Sequence, residues 1–484
     1  MSLQNKYARL LIITHESIGE RMSGPSIRAW EMAKALGEHG VNVILASPFK
    51  SNRQAKNVSV AYFSWEFPET IKKLIEETDI VMGTGPVIAR VVLSLKSPIY
   101  KPVIVDIYYV PEIEEILLEL KKPKYSFDPL PAYLNELFVY MRQGDLFIYA
   151  FDKQMDFWLG VLLAVGRLNK INLSQTLNVD HLFKKIPLGL PDNASKKNHI
   201  IKGSIPEISK EDKILYWGGG IWDWSNPLVL VKSLENIWLK EPNVKLVFGS
   251  MHHYDQTIVP KMEVVSEFIS FINTKDWLGK KIFFLEWVPY DNRYSLMMDV
   301  DIGLSIFDNS IESRFAARAR LMDYLWAALP SIVTGDDEIG RLLTANGLAI
   351  NVDAGDPNTI SQAVISLLKK PINREVWLKE HSELINKYKW SEVVKPLLDF
   401  LKYPKIALDG TIARESLEFI IPLRKQWEQL RTEHDNEINR LHNEINGLLN
   451  EINVLKNRKV VKFADKYGAI RDSLLGKLKL NKND

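Results

Sequence analysis

The 484-residue chain reads as two doubly wound α/β domains facing a cleft, followed by a coiled-coil helix and a basic tail. Three observations predict this. Short β-branched runs alternate with helical patterns in two successive series, separated by a stretch rich in Pro, Gly, Asn and Lys. The runs are apolar on both faces, as strands of a parallel sheet covered by helices on each side must be. Beyond the second series, a seven-residue apolar repeat begins at Ile438.

The first series opens with ARLLIITH (8–15), an apolar run ended by polar residues. SIRAWEMAKALGEHG (26–40) carries Ile27, Trp30, Ala33 and Leu36 at helical spacing and stops at Gly40. VNVILAS (41–47), DIVMGTG (79–85), PVIVDIY (102–108) and DLFIYA (145–150) are the further strands expected. Periodicity fades over 184–212, the expected connection between domains. The second series is KILYWGG (213–219), VKLVFGS (244–250), KIFFLEWV (281–288), DIGLSIF (301–307), LPSIVTG (329–335) and GLAINV (347–352). Rossmann-like domains are thus predicted over 1–188 and 189–400, with ligands at the carboxyl ends of the strands.

A linker helix is expected over 401–425, a coiled coil over 426–457 and a basic amphipathic tail over 458–484. Ile438, Leu441, Ile445, Leu448, Ile452 and Leu455 follow one another at steps of 3, 4, 3, 4 and 3. Ile at a and Leu at d favour a parallel two-stranded coil, so a homodimer through 438–455 is expected. The alternative is an amphipathic helix packed on its own protein, and Gly447 weakens either helix. In the tail, Val460, Phe463, Tyr467, Ile470 and Leu474 recur at helical spacing among eight Lys/Arg and three Asp/Glu. Such a helix suits an anionic membrane surface, giving peripheral contact at its inner face; the alternative is a solvated end.

Composition narrows the classes. A net charge of +2 on 62 basic and 60 acidic residues argues against general nucleic-acid binding. With no cysteine, thiolate nucleophiles, disulfides and Cys-ligated zinc are excluded, which fits a cytoplasmic setting. MSLQNKYARLLIITHE has too short an apolar stretch for a signal peptide, and the run Trp158 to Gly166 is half what a spanning helix needs. The nine histidines show no metal-ligand spacing, and Asp299-Val300-Asp301 opens a strand at the end away from the cleft. No metal site and no cofactor are therefore expected. A P-loop motif is absent as well.

Three strand ends carry candidate chemistry. ESIGERMSGPSIR (16–28) is a glycine-containing loop opening into a helix, where Gly24 and Arg28 are candidates to meet a phosphate. WGGGIWDWSNP (217–227) removes Cβ bulk at Gly218, Gly219 and Gly220, so a ligand can approach the backbone; Asp223 is placed to bind sugar hydroxyls or cap the next helix. NSIESRFAARARLMDYLWAALP (309–330) sets Arg314 and Arg318 at a helix start, and Arg320 and Asp323 three apart on one face. Guanidinium groups there suit a diphosphate, and a carboxylate one turn on suits ribose hydroxyls. Asp106, ending PVIVDIY, is placed either to orient an acceptor hydroxyl or to serve the structure.

These residues resemble the GT-B glycosyltransferases, specifically glycosyltransferase family 4. The likeness lies in Gly24-Pro25-x-x-Arg28, in 283–307 with its Val-Pro turn, in Asp323-Tyr-Leu-Trp-Ala-Ala-Leu-Pro330, and in KKIPLGLPD (184–192), and it spans roughly 8–400. It implies a nucleoside-diphosphate sugar donor held by the second domain, and a glycan or lipid-linked acceptor held by the first. It also implies transfer with retention of configuration; the lack of metal-ligand spacing makes metal-independent transfer the expectation, here in cell-surface polysaccharide synthesis. Asp323 falls on the second Glu of the family's E-x7-E pair, which binds ribose, whereas the first falls on Phe315, a departure. Glu312 is then the candidate for donor-sugar contact and catalysis alongside Asp106, and Trp287 and Val288 lie in 285–289, expected to hold the base. The family's phosphate-binding Arg and Lys are missing after the glycines, leaving Arg318 and Arg320 as replacements. A GT-B sugar-nucleotide epimerase and an inactive scaffold oligomerised by the coil are the competing expectations.

Overall fold

The computed structural model describes residues 6–120, 132–174, 177–193, 199–256, 261–457 and 459–480. The chain divides into two units, 1–418 and 419–484.

The first unit holds two parallel sheets. One is built from β1 (Leu10–Ile13), β2 (Val43–Ser47), β3 (Val58–Tyr62), β4 (Ile80–Thr84), β5 (Val103–Asp106), β6 (Leu146–Tyr149) and β7 (Phe183–Lys185), in the order β3-β2-β1-β4-β5-β6-β7. The other is built from β8 (Lys213–Trp217), β9 (Val244–Phe248), β10 (Ile282–Phe284), β11 (Ile302–Ser305), β12 (Ser331–Thr334) and β13 (Ala349–Val352), in the order β10-β9-β8-β11-β12-β13. In both, the order reverses beside the first strand, so the loops after β1 and β8 stand at the switch points where ligands bind. Six interior strands, β1, β2, β5, β6, β11 and β12, are buried along their whole length, because helices cover both faces.

Every strand expected from sequence is present. Two further strands, β3 and β7, lie at the edges of the first sheet. An edge strand buries less, so it carries no continuous apolar run: β3 reads VSVAY with one fully buried residue, and β7 is three residues long.

The packing departs from the expected domain boundary at 400. The helices Trp390–Val393 and Lys395–Lys402 bury Trp390, Val393, Leu397 and Leu401 in the core of the first sheet, together with Leu10, Trp30 and Leu45. The chain crosses back where Leu190 N–H donates to the Tyr388 carbonyl at 2.7 Å and Trp390 N–H to the Leu190 carbonyl at 2.9 Å. Gly189 is required there, because a Cβ would stand 2.4 Å from the Trp390 ring.

The Asp299/Asp301 pair anchors the inter-domain connection. Asp299 accepts from the backbone N–H groups of Ile200, Ile201 and Lys202 at 2.9, 2.6 and 3.0 Å, and Asp301 accepts from Lys202 Nζ at 2.7 Å. Burial pushes the Asp299 carboxyl up, but the His199 bond and these amides outweigh it and hold it below its usual value.

The helix Gly410–Asn457 starts in the first unit. There Asp409 pairs with buried Arg167 at 2.9 Å and Arg414 with Asp145. In the second unit it continues through Pro422 and is followed by the helix Lys459–Leu480. All six heptad residues from Ile438 to Leu455 are exposed on it. Of the expected tail, residues 458 and 481–484 lie outside the described residues. Among the described residues, no helix is long and apolar enough to cross a membrane.

Candidate anion-binding cleft

Two helix N-termini, one from each domain, meet in the cleft. The helix Gly24–Glu38 begins directly after the β1 loop, and the helix Ala319–Trp326 begins after β11 and a short helix, Ile311–Phe315. A Cβ on Gly24, the first residue of its helix, would lie 3.9 Å from the Ala319 Cβ. Each terminus carries unsatisfied N–H groups and partial positive charge.

Two arginines add full charges beside them. Arg318 is 8% exposed; its guanidinium lies 3.5 Å from the Phe307 ring centroid and binds both Glu312 oxygens, at 2.9 and 2.6 Å. Arg320 is half-buried over Trp217 and Phe307. Its Nη2 reaches the Gly220 carbonyl only at 3.5 Å, and its shielded Nη1 has no hydrogen-bond partner among the described residues. Burial, opposed by Tyr324 and reinforced by Arg318, brings this guanidinium down to about 10. An under-bonded, partly desolvated cation is a preorganised anion receptor.

The glycine bend makes room for Arg320. Gly219 adopts φ +74°, which a side chain resists, and a Cβ on Gly218 would stand 3.3 Å from both the Arg320 Cβ and the Tyr324 hydroxyl. Gly219 is exposed, whereas Gly220 is buried, its absent Cβ falling 3.9 Å from the His252 backbone, so the bend meets solvent at Gly219. The Tyr324 hydroxyl accepts from Gly218 N–H at 3.1 Å and donates to the Leu304 carbonyl at 2.9 Å, tying β8, β11 and the arginine helix together.

Several expected residues do other work. Arg28 is 2% exposed, and it spends its donors on both Asp106 oxygens (2.7 and 3.0 Å) and on the carbonyls of Ile186 and Pro187. The pair ties the first helix to β5 and the connection. Of the two roles expected for Asp106, this contact is the structural one, and it engages the guanidinium expected to meet a phosphate. Asp223 does not cap the next helix, whose N-cap is Asn226: it accepts from Val264 N–H at 2.9 Å, at the start of the helix Glu263–Thr274. Glu312 is committed to Arg318. Trp287 donates through Nε1 to the Met22 carbonyl at 3.0 Å, so its indole joins the domains, while Val288 packs against the core of the second domain.

Asp323 is not paired with Arg320. It takes Arg293 Nη2 at 2.6 Å, while Arg293 Nε and Nη1 have no partner among the described residues. Arg293, which sequence reasoning missed, therefore adds a second under-bonded guanidinium after Arg320, next to the ribose position expected at Asp323. Glu114 was missed too. Its helix, Pro111–Glu119, packs against the helix Ile311–Phe315 of the second domain. Burial first, then the facing Glu312 carboxylate, push the Glu114 carboxyl up to about 8, with Arg318 opposing. A signal was present for Arg293, which follows the Val-Pro turn by four residues; none marked Glu114 among the four glutamates in 112–119.

The rim is bridged from both domains. Tyr290 N–H donates to the Glu20 carbonyl at 2.8 Å, Ser17 Oγ meets Tyr254 Oη at 3.2 Å, and Arg53 pairs with Asp291 at 3.0 Å. Opposite them, Lys153 pairs with Asp336 at 2.6 Å. Buried Glu16 accepts from Ser23 Oγ and lies 3.9 Å from His253 of the second domain.

Two Rossmann-like domains closing on an arginine-lined gap at their switch points define the GT-B architecture. Solved structures agree. The chain is similar to the trehalose-6-phosphate synthase OtsA, with a TM-score of 0.58 at 11% identity over 82% of this chain and 100% of that one. It is similar to Anabaena Alr3699/HepE in complex with UDP and glucose, with a TM-score of 0.55 at 11% identity over 82% and 100%. A third is WaaG, a glycosyltransferase involved in lipopolysaccharide biosynthesis, with a TM-score of 0.53 at 13% identity over 81% and 99%. Neither a family model nor a curated protein sequence matches the chain.

Proposed function

We propose that this chain is a glycosyltransferase that moves a sugar from a nucleoside-diphosphate sugar to a glycan or lipid-linked acceptor. One observation carries the reading: two opposed helix N-termini and the unpartnered Nη1 of Arg320 converge on the cleft. Positive ends brought this close repel one another, and an anion bound beside both relieves that repulsion. As the glycosidic bond breaks, negative charge grows on the leaving diphosphate, and donors fixed beforehand stabilise it without reorganisation. In this reading the N–H groups at Gly24 and the Gly219–Gly220 backbone approach the phosphates. Arg320 supplies the main charge, and Arg318 joins when it exchanges one Glu312 oxygen for phosphate. Asp323 with Arg293 faces the ribose, and the backbone of 285–289 the base.

The acceptor side is proposed at the helix Pro111–Glu119. There Glu114 is protonated at neutral pH and so donates a hydrogen bond rather than repelling Glu312. Retention of configuration, chemistry without a metal or cofactor, and a role in cell-surface polysaccharide synthesis complete the proposal. So do a place at the cytoplasmic face of a membrane through 458–484 and self-association through 438–455. A structure of the same fold in complex with UDP and glucose, and another bound with UDP-2-fluoro glucose, support the donor class.

Calorimetric titration with a panel of nucleoside diphosphates tests it: one base should bind with micromolar affinity or better. If none binds, the chain is a scaffold and the proposal is wrong. If a nucleotide sugar turns over to its epimer without acceptor, the fold serves an epimerase instead.

A further inference from the structure

We infer that residues 437–456 join two copies of this chain in a parallel, in-register two-stranded coil. The surface stands on its own helix and does not depend on the transferase reading. Ile438, Leu441, Ile445, Leu448, Ile452 and Leu455 lie on one stripe of the helix Gly410–Asn457, and all six are exposed. Leu449, at an e position, widens the stripe and is exposed as well. The helix Lys459–Leu480 does not cover it, since Phe463, Tyr467, Ile470, Leu474 and Leu475 are themselves exposed.

The flanking charges specify the occupant. With Ile at a and Leu at d, the g positions are Glu437, Glu444 and Glu451, and the e positions are His442, Leu449 and Lys456. In a parallel pair each g side chain faces the e side chain five residues on in the partner. Glu437 then meets His442, Glu444 meets Leu449, and Glu451 meets Lys456, with no like charges opposed. In an antiparallel pair g faces g, which sets three glutamates against three glutamates. A second copy read in the same direction is therefore complementary, and one read in reverse is not. The ends fix the register. The next a position downstream is Lys459 and the preceding d position is His434, so a one-heptad slip sets apolar layers against charged or polar ones.

Sedimentation equilibrium on the full chain at about 10 μM tests this. The expected mass is twice that of the 55.6 kDa chain. The double variant Ile445→Glu/Leu448→Glu should sediment as a monomer with unchanged thermal unfolding of the α/β body. Direction is read separately. The chain has no cysteine, so Leu455→Cys gives one thiol per copy. Parallel helices place the two thiols side by side and should link under mild oxidation. Antiparallel helices would hold them roughly 25 Å apart, at 1.5 Å per residue. A monomeric or higher-order parent chain overturns the inference. So does a dimer that persists in the double Glu variant, or one in which Leu455→Cys fails to link.

Discussion

Arg318 and Arg320 stand two positions apart yet should fail differently when removed. Arg318→Ala strips a buried carboxylate of its counter-charge, leaving Glu312 at 5% exposure without its guanidinium. An orphaned buried partner costs about 3–5 kcal/mol, so the variant should melt well below the parent in calorimetry. Arg320 makes one long bond and leaves Nη1 unused, so Arg320→Ala should barely move the melting temperature. It should instead weaken nucleoside-diphosphate binding by about 10- to 100-fold, the worth of one charged hydrogen bond at ~1.5–3 kcal/mol. Retained affinity in Arg320→Ala would refute the phosphate assignment. Both arginines were legible in the sequence because they sit where a strand hands over to a helix. Their partners were not. Asp323 bonds Arg293, 30 positions away, and Arg28 spends itself on Asp106, 78 away. Spacing along one helix says which side chains share a face, not what that face is pressed against.

The helix Pro111–Glu119 has a pH dependence with a definite sign. Folding raises the Glu114 carboxyl from its ordinary 4.5 to about 8, so the neutral form is the one that packs. Its contribution is full below about 4.5 and is lost as the pH climbs towards 8. Backbone hydrogen exchange in 111–119, corrected for intrinsic rate, should therefore quicken by about tenfold or more between mildly acidic and alkaline pH. Glu114→Gln, neutral throughout, should flatten that profile; a profile that stays steep would assign the change to another group. The elements themselves divide along a physical line. Central strands were plain in the sequence because burial on two faces leaves only apolar residues. The edge strands β3 and β7 were not, since one side of each meets water or a loop and no pattern of their own distinguishes them.

The assembly question belongs to the molecule as a whole. Deleting 458–484 should lower the fraction that pellets with anionic vesicles while nucleotide binding persists, since the tail lies outside the α/β unit. Equal pelleting of both forms would remove the membrane from the proposal. The two-domain plan was readable because each sheet announces itself by alternation. The return of Trp390 and Leu397 to the first sheet was not, because a short amphipathic helix gives no sign of which core it will join.

The bridges across the rim carry one kinetic meaning. Tyr290 to Glu20, Arg53 to Asp291 and Lys153 to Asp336 knit the mouth shut from opposite sides. Whatever enters must wait for these stitches to part, so capture speed is capped by how often the molecule breathes rather than by how much substrate surrounds it. In the proposed transferase, the same stitches would bar stray water between visits and keep the donor from being squandered on solvent.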